Sequence, residues 1–310
     1  MQNNISGIIV VNKEKDWTSH DCVAVMRRLV SVKRIGHTGT LDPMAEGVLP
    51  ICIGTSTRIM EYLDIDYKTY RCEMTLGIET DTQDIWGEVI SEKQVEGITK
   101  EEILKVCSEF VGDINQIPPK YSALKVNGKK LYEYARSGQE VEIKSRKINI
   151  KELTVINIVD NKVTFDVTCS KGTYVRTICK DIGDKLGCLA TMSGLTRIRS
   201  GIFKIEDSIT ITELREMTRE GILKRLLPPD YPLVHFGKID LKGNGPKDFI
   251  NGKKMNLLKR KDEIYILEIS NHKEMYKVYY GKTFLGVARI EDNILVADKV
   301  FNVRIDNESI

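Results

Sequence analysis

The 310-residue chain lacks several features that would each place a protein in a definite class. No apolar stretch approaches the roughly 18 residues that a membrane-spanning helix requires, which excludes a membrane function. The seven cysteines are odd in number and widely spaced, none forms a C-x-x-C pair, and no signal-peptide pattern precedes them. This cysteine usage predicts reduced thiols and a cytoplasmic protein.

Signatures of metal ions and nucleotides are also missing. The four histidines, at positions 20, 37, 235 and 272, do not have the spacing of metal ligands. A glycine-rich segment at residues 36–47 is not followed by Gly-Lys-Ser or Gly-Lys-Thr, so it is not a phosphate-binding P-loop. The chain also has no internal repeat and no low-complexity tract. These patterns give little support to a metal site and exclude a P-loop.

The composition is that of an ordinary globular protein. Apolar residues make up 41% of the chain and charged residues 29%, which excludes fibrous and disordered classes. A chain of this length buries enough surface to be stable without a disulfide or a metal ion. One large domain followed by a small one is the expected organisation.

Charge is unevenly distributed, although the formal net charge is only +3. Residues 73–113 carry three basic and eleven acidic side chains, residues 120–151 carry nine and three, and residues 242–261 carry seven and one. A single lysine-rich run is most often a solvated surface. Two basic runs, together with an acidic segment ahead of them, favour a protein that binds a polyanion at selected places, so nucleic acid becomes a candidate partner.

Strand and helix patterns alternate along most of the chain. Residues 70–76 alternate apolar and polar side chains, as a strand with one buried face does. Thr99 and Glu102 form a capping box ahead of a helix with apolar residues at helical spacing. A strand at residues 163–169 is followed by a helix pattern over residues 175–186, which Gly187 is expected to close.

The pattern changes after prolines 228, 229 and 232. Short strand-like runs separated by Gly, Asn and Asp follow, at residues 264–269, 275–280, 284–290 and 300–304. We therefore predict a domain boundary near residue 234, with a large domain over residues 1–234 and a small all-β domain over residues 235–310.

The segment GHTGTLDPMAEGVLP at residues 36–50 places three glycines, a histidine and an Asp-Pro pair between two predicted elements. Asp-Pro alone usually indicates only a turn. The glycines permit backbone conformations and close approaches that other residues resist, which suits a loop held against a ligand. Composition and spacing alone thus lead to a nucleic-acid-binding protein with an unexplained carboxylate loop.

The same segment closely resembles the signature of the bacterial TruB family, the tRNA pseudouridine-55 synthases. Further motifs of that family follow in order: KTYR at 68–71, GIETDTQD at 77–84, QIP at 116–118 with YSALK at 121–125, GKKLYEYA at 128–135 and SKGTYVRT at 170–177. The resemblance covers residues 7 to roughly 215, and the tail is similar in place and character to the PUA-type RNA-binding module of these enzymes. It implies an α+β pseudouridine synthase fold with a mixed, largely antiparallel sheet and a small C-terminal PUA-like β module.

The resemblance also implies a reaction and its catalytic residues. Uridine 55 in the T loop of tRNA is isomerised to pseudouridine: uracil is detached from C1′, turned, and rejoined through C5. This rearrangement is redox-neutral, so no cofactor and no metal are implied. Asp42 matches the family's catalytic aspartate, Tyr70 its active-site tyrosine, and Arg176 the arginine that pairs with the aspartate. Whether the aspartate attacks covalently or removes a sugar proton stays open.

Further residues match family positions that contact the substrate. His37 matches a histidine that helps to hold the flipped nucleotide, and Leu195 matches an apolar contact to the base. Lys171 and Tyr174 belong to the motif that contains Arg176 and are expected to line the same cleft. A uridine inside a folded loop must be extruded to reach such a site, at a cost of a few kcal/mol.

The basic stretch at about residues 120–151 corresponds to a family insertion that closes over the RNA. Lys125, Lys129 and Lys130 lie in this insertion and are candidate phosphate contacts. The expected partner is therefore the T arm of tRNA, bound by a monomer that requires no protein partner.

The site residues and the function of the protein each have a simpler or different interpretation. Tyr70 alone could be a core tyrosine, and an arginine in the position of Arg176 is more often a surface helix residue. Two other functions are a guided pseudouridine synthase, which needs partner proteins and a guide RNA, and a catalytically silent tRNA-binding or RNA-folding protein. The intact set of Asp42, Tyr70 and Arg176 argues against the silent protein, and the basic insertion argues against the guided one.

Overall fold

The computed structural model of the protein describes residues 5–63, 67–272 and 274–301, which contain two large β-sheets. The strands are β1 (Gly7–Lys13), β2 (Ile35–His37), β3 (Glu46–Ile53), β4 (Lys68–Leu76), β5 (Ile78–Thr80), β6 (Val89–Glu92), β7 (Gly112–Gln116), β8 (Lys125–Val126), β9 (Lys129–Lys130), β10 (Arg146–Val159), β11 (Lys162–Cys169), β12 (Ala190–Ser200), β13 (Phe203–Lys204), β14 (Ile209–Thr210), β15 (Gly237–Leu241), β16 (Met255–Asn256), β17 (Ile264–Glu268), β18 (Met275–Tyr280), β19 (Thr283–Glu291) and β20 (Ile294–Val300). The helices are α1 (Ser19–Val30), α2 (Met60–Leu63), α3 (Lys100–Ser108), α4 (Leu131–Arg136), α5 (Val175–Leu186), α6 (Ile211–Glu216), α7 (Arg219–Lys224) and α8 (Gly245–Ile250).

Ten strands form the larger sheet, in the order β14-β1-β3-β12-β4-β11-β10-β7, with β2 added to β3 and β13 to β12. Neighbouring strands are antiparallel except in two pairs, β1 with β14 and β3 with β12, which are parallel. The predicted α+β fold with a mixed, largely antiparallel sheet is thus confirmed. Strand β12 lies between β3 and β4, so segments that are distant in sequence become neighbours at the centre of the sheet.

Local sequence sets the start and end of helix α1. The Thr18 hydroxyl accepts a hydrogen bond from the Asp21 N–H at 3.0 Å, and the Asp21 carboxylate accepts one from the Thr18 N–H at 3.0 Å. This capping box starts the helix at Ser19. The helix ends at Val30, because Ser31 adopts the left-handed conformation. Its buried face packs against β1 and β3.

Helix α5 packs on the other half of the sheet. Its buried side chains Val175, Ile178 and Ile182 share one apolar core with Met74 of β4 and Phe165 of β11. A glycine in the left-handed conformation at position 187 caps the helix, as the sequence predicts. This packing fixes the first turn of α5 close to the ends of the central strands.

The six-stranded second sheet has the order β16-β20-β19-β18-β15-β17 and a core of its own. Strands over 264–268, 275–280 and 283–291 lie close to the predicted runs. Of the run predicted at residues 300–304, Val300 is the end of strand β20, Phe301 follows the strand, and residues 302–304 lie outside the described ranges. The rest of β20, from Ile294, was not predicted. Asp292 and Asn293 both have positive φ and form a tight turn, so the chain reverses soon after β19.

An apolar contact joins the two sheets. Ile8 and Val10 of β1 share one buried cluster with Phe236, Val287 and Phe301. Full burial of each large apolar side chain contributes roughly 1.5–3 kcal/mol. The second sheet is therefore packed directly on the first.

A long excursion, residues 117–145, connects β7 to β10 and carries the β8–β9 hairpin and helix α4. Residues 146–151, the last part of the predicted basic insertion, instead belong to β10, and residues 146–150 pair with β7 in the large sheet. The alternation of charge and apolar residues in this part does not distinguish an insertion from the strand that follows it.

All seven cysteines are buried thiols. Among the helices in the described ranges, none is long and apolar enough to cross a membrane.

Candidate active site

A cavity of about 760 Å³ lies where the loop after β2, strands β4 and β12, and the start of α5 meet. Residues 121–123 and Tyr132 of the excursion also line it. The predicted site residues in its lining are Asp42, Tyr70, Lys171, Tyr174, Arg176 and Leu195. The structure thus brings together the three predicted catalytic residues and three of the predicted binding residues.

Asp42 lies on the loop between β2 and β3, and its backbone neighbours are held by buried polar side chains. The Ser19 hydroxyl accepts a hydrogen bond from the Leu41 N–H at 2.9 Å, and the Lys13 Nζ donates one to the Pro43 carbonyl at 3.1 Å. Burial lowers the pKa of Lys13. The Asp42 side chain itself is 52% exposed. The loop therefore presents an accessible carboxylate on a fixed backbone.

Arg176 is buried although it is charged, with only 9% of its side chain exposed, so the interpretation as a surface residue is wrong. Its Nη1 donates to Asp84 Oδ2 at 3.2 Å, and its Nη2 donates to the Tyr121 carbonyl at 2.7 Å. The same Nη2 lies 3.9 Å from Asp42 Oδ2. Arg176 is thus held by Asp84 and the excursion, and it meets Asp42 at the outer limit of an ion pair.

Asp84 is a residue that the sequence analysis missed as part of the site. Its side chain is only 2% exposed, and its Oδ1 accepts hydrogen bonds from the Thr82 hydroxyl at 2.8 Å and the Trp86 N–H at 3.3 Å. With Arg176 on its other oxygen, this buried carboxylate has the partners that burial requires. The GIETDTQD motif contains Asp84, but a count of charges placed the whole segment on an acidic surface.

Tyr70 lies on β4 with its side chain partly buried against the core below the cavity. It is directly opposite Arg197 in the pairing of β4 with β12. Burial raises the pKa of the Tyr70 hydroxyl, and the positive charge of Arg197 opposes this rise. Arg197, which the sequence analysis also missed, is fully buried and lines the same cavity.

Tyr174 precedes the first turn of α5 and is fixed by Gln116 of β7. The Gln116 side chain donates to the Tyr174 carbonyl at 3.0 Å and accepts from the Tyr174 N–H at 2.8 Å. The exposed Lys171 lies in the turn before it, which gives the cavity a cationic edge. Leu195 on β12 supplies an apolar wall.

His37 does not line this cavity. It lies at the end of β2, with its ring edge-on to His20 at a centroid distance of 5.3 Å. Burial lowers the pKa of His37, and the charges of His20 and Arg197 act in the same direction. The structure therefore places His37 on the strand before the Asp42 loop and outside the cavity lining.

Lys125, Lys129 and Lys130 lie on the β8–β9 hairpin outside the cavity lining. The Lys129 ammonium lies 4.6 Å from the centre of the Tyr134 ring, and the Lys130 ammonium lies 5.4 Å from that of Tyr132. Because Tyr132 lines the cavity, the hairpin places positive charge next to the opening.

The chemistry available here is that of a carboxylate beside a guanidinium and a phenol. An accessible carboxylate is able to act as a nucleophile or as a proton acceptor, and a phenol is able to exchange a proton. Among the residues that the structure describes, no group of three or more His, Cys, Asp or Glu side chains is placed to hold a metal ion.

Comparison with protein families gives the class to which this fold and site belong. Residues 27–175 match the model of the TruB family pseudouridylate synthase N-terminal domain, and residues 176–234 match that of the tRNA pseudouridylate synthase B C-terminal domain. The chain therefore belongs to the TruB family of pseudouridylate synthases, which confirms the resemblance seen in its motifs. Enzymes of this class are isomerases.

Individual relatives agree with this membership. The chain is 42% identical over 308 residues to tRNA pseudouridine synthase B of Alkaliphilus oremlandii, covering 98% of this chain and 100% of the relative. It is 47% identical over 253 residues to the protein of the same name from Shouchella clausii, covering 80% and 84%. A solved archaeal box H/ACA sRNP Nop10-Cbf5 complex shares the fold, with a TM-score of 0.71 and 24% identity over 97% of this chain and 86% of that chain.

Proposed function

We propose that this protein isomerises uridine 55 in the T loop of tRNA to pseudouridine, with Asp42 as the catalytic carboxylate and without a cofactor. The observation that carries the proposal is the placement of an accessible Asp42 carboxylate in one cavity with Tyr70 and the buried Arg176. The names of the relatives, which are tRNA pseudouridine synthases, support the substrate class.

The residues of the cavity supply what the reaction needs. The bond between C1′ and N1 breaks, the base turns, and a bond between C1′ and C5 forms while the C5 proton leaves and N1 gains one. Asp42 acts at the sugar or the base, and Arg176 orients its carboxylate. Tyr70, whose hydroxyl pKa is raised by burial, lies against the base and is placed to exchange the C5 proton.

The size of the cavity supports base flipping. A volume of about 760 Å³ is within the range of sites that hold small molecules, and it accommodates a single extruded nucleoside. Leu195 supplies apolar contact to the base, while Lys171 and the hairpin lysines lie where the phosphates on either side would pass. His37 helps to hold the flipped nucleotide in this proposal, from the strand before the Asp42 loop and outside the cavity lining.

The domain organisation belongs to the same proposal. Residues 1–234 form the catalytic domain with the RNA-contacting excursion, and residues 235–310 form a PUA-like RNA-binding domain built on the second sheet. The protein acts in the cytoplasm as a monomer on the T arm of tRNA, without a protein partner.

Mapping of pseudouridine in an unmodified tRNA transcript tests this function. Purified protein is expected to form pseudouridine at position 55 and nowhere else, at the same rate with and without EDTA. A transcript with cytidine at position 55 is the matched control and should remain unmodified. Pseudouridine at another position would contradict the assignment to uridine 55, and a rate that falls with EDTA and returns with zinc would contradict the cofactor-free mechanism.

Neutralising the hairpin lysines should weaken tRNA binding. In a variant with Lys125, Lys129 and Lys130 all changed to glutamine, each lost phosphate contact should flatten the log-log dependence of affinity on salt by roughly 0.7 to 0.9. Binding measured across a range of salt concentrations checks this slope. Glutamine at Lys100 and Lys105 of α3, which are exposed and lie outside the excursion, is the control and should leave the slope unchanged. An unchanged slope in the hairpin variant would show that these lysines are ordinary solvated residues that do not contact phosphates.

Exposed lysines between α8 and β17 should matter mainly for whole tRNA. Lys254, Lys259 and Lys261 are exposed, whereas Lys253 is paired with Asp248 at 2.6 Å and is therefore left in place. Glutamine at the three exposed positions should reduce affinity for full-length tRNA more than affinity for an isolated T-arm stem-loop. Equal losses on both RNAs would show that this surface is not a remote tRNA contact.

A further inference from the structure

Arg197 on β12 is a fully buried charged side chain whose role the site description leaves unexplained. Among the described residues, no carboxylate forms an ion pair with it. Its Nε instead donates to the Val48 carbonyl at 2.7 Å, and its Nη2 donates to the Gly39 carbonyl at 2.8 Å. A buried arginine satisfied by backbone carbonyls alone is costly, because it is desolvated without an opposite charge to compensate it. Such a group is expected to serve a specific purpose.

The two carbonyls that Arg197 binds stand on either side of the Asp42 loop. Gly39 precedes Asp42 and Val48 follows it on β3, so one guanidinium spans the base of the loop. The backbone of β12 also pairs here, with Arg197 opposite Gly47 in the parallel contact between β12 and β3. The loop is thus tied at its base by one side chain and by the strand that carries it.

Two glycines of the GHTGTLDPMAEG segment make room for this arrangement. A Cβ atom at Gly39 would lie 3.2 Å from Arg197 Nη1, and Gly39 also has a positive φ of 66°. A Cβ atom at Gly47 would lie 2.2 Å from the Arg197 carbonyl oxygen, where no side chain fits. Gly39 and Gly47 are therefore explained by the approach of Arg197 as well as by the turn itself.

Arg197 also acts on Tyr70, which lines the same cavity. Nη1 is buried and makes no hydrogen bond within the described residues. Tyr70 is directly opposite Arg197 in the pairing of β4 with β12, and both line the cavity. The charge of Arg197 opposes the rise that burial causes in the Tyr70 pKa, whereas Cys169 and Asp42 act with burial. The Arg197 side chain thus binds both ends of the Asp42 loop and also lowers the pKa of Tyr70 against the effect of burial.

We propose that Arg197 is a positioning residue, which ties the base of the Asp42 loop to the strand facing Tyr70 and so fixes the separation of these two residues. The inference rests on the proposed function, in which Asp42 and Tyr70 act on the same nucleotide. A displacement of about 1 Å between reacting groups is sufficient to lower a rate about 10²-fold. Arg197 itself does not touch the reacting atoms.

Arg197→Met and Arg197→Lys variants test the inference, with Arg199→Met as the control on the same strand. Arg199 is exposed, and its Nε donates to the Gly201 carbonyl at 2.9 Å. The single-turnover rate of Arg197→Met should fall at least about 100-fold, while its Kd for tRNA changes less than about threefold. Amide hydrogen exchange in residues 40–45 of the RNA-free protein should become at least about tenfold faster, with α1 and β1 unchanged.

Arg197→Lys keeps the charge but cannot span both carbonyls, so its rate and its loop exchange should lie between those of Arg197→Met and the wild type. If Arg197 served only to stabilise the fold, its replacement would lower thermal stability, but it would not lower the rate while leaving tRNA affinity unchanged. If Arg197→Met does not fold, Arg197→Lys decides: a wild-type rate with wild-type loop exchange would overturn the inference. Unchanged loop exchange in a folded Arg197→Met protein would overturn it as well.

Failure of this inference can be told apart from failure of the proposed function. Hydrogen exchange reports the state of the loop whether or not RNA is modified. If the wild-type protein forms no pseudouridine at position 55, the proposed function fails. If the wild-type protein is active and Arg197→Met is as active as Arg199→Met, only the role of Arg197 fails.

Discussion

Replacement of Asp42 by asparagine is expected to lower the single-turnover rate of pseudouridine formation by at least about 10³-fold, while tRNA affinity changes by less than about tenfold. Asparagine has nearly the same size but provides neither a nucleophile nor a proton acceptor. The loop should keep its shape, because it is held through Leu41 and Pro43 rather than through the Asp42 side chain. The RNA-binding surface is therefore expected to remain intact.

Release of tritium from C5 of labelled uridine measures this rate, because the C5 proton leaves when the new bond forms. The control is Asp207→Asn, an exposed aspartate outside the cavity, which should have the wild-type rate. Turnover of Asp42→Asn close to that of the wild type would show that the carboxylate is not the catalytic group.

Features fixed by near neighbours in the sequence were predictable. The capping box of Thr99 and Glu102 starts α3 where the sequence places it, since both partners lie within one helical turn. The same is true of Gly187 at the end of α5. Most of strand β20 was not predicted, because its position depends on pairing with β19 across the turn at Asp292 and Asn293.

The motif residues in the cavity were found by resemblance, not by pattern. Arg176 has the local signature of a surface helix residue, and its burial follows only from contacts with Asp84 and Tyr121, which are far away in sequence. Asp84 was hidden in a segment with eleven acidic side chains, because a count of charges does not separate a buried carboxylate from exposed ones. Arg197 was hidden in the same way in a strand that contains a second, accessible arginine.

The two missed residues share a physical feature. Both Asp84 and Arg197 are buried charges that act on a predicted residue, Asp84 through Arg176 and Arg197 through the Asp42 loop. Such supporting residues are recognisable only when the strands have been paired, because their partners come from different parts of the chain. The sequence therefore indicates the groups that face the substrate, while the groups that hold them depend on the fold.

Arg176→Lys should lower the single-turnover rate by at least about 10²-fold. The guanidinium contacts Asp84, the Tyr121 carbonyl and Asp42 from two nitrogens, and an ammonium cannot reproduce this geometry. The tRNA affinity should change little, because the side chain is buried. A wild-type rate in Arg176→Lys would contradict the proposed role of Arg176 in orienting Asp42.

Arg176→Met is expected to be less stable as well as inactive, because it leaves the Asp84 carboxylate buried without its cation, a loss that typically costs about 3–5 kcal/mol. The double variant Arg176→Met with Asp84→Asn removes both charges and should recover most of this stability, since the amide keeps the hydrogen bonds without the charge. It should not recover activity, because Asp42 still lacks its orienting partner. Urea unfolding and single-turnover rates for the two single variants and the double variant complete the cycle. Recovery of activity together with stability would mean that Arg176 serves only to neutralise Asp84, and that Asp42 needs no cation beside it.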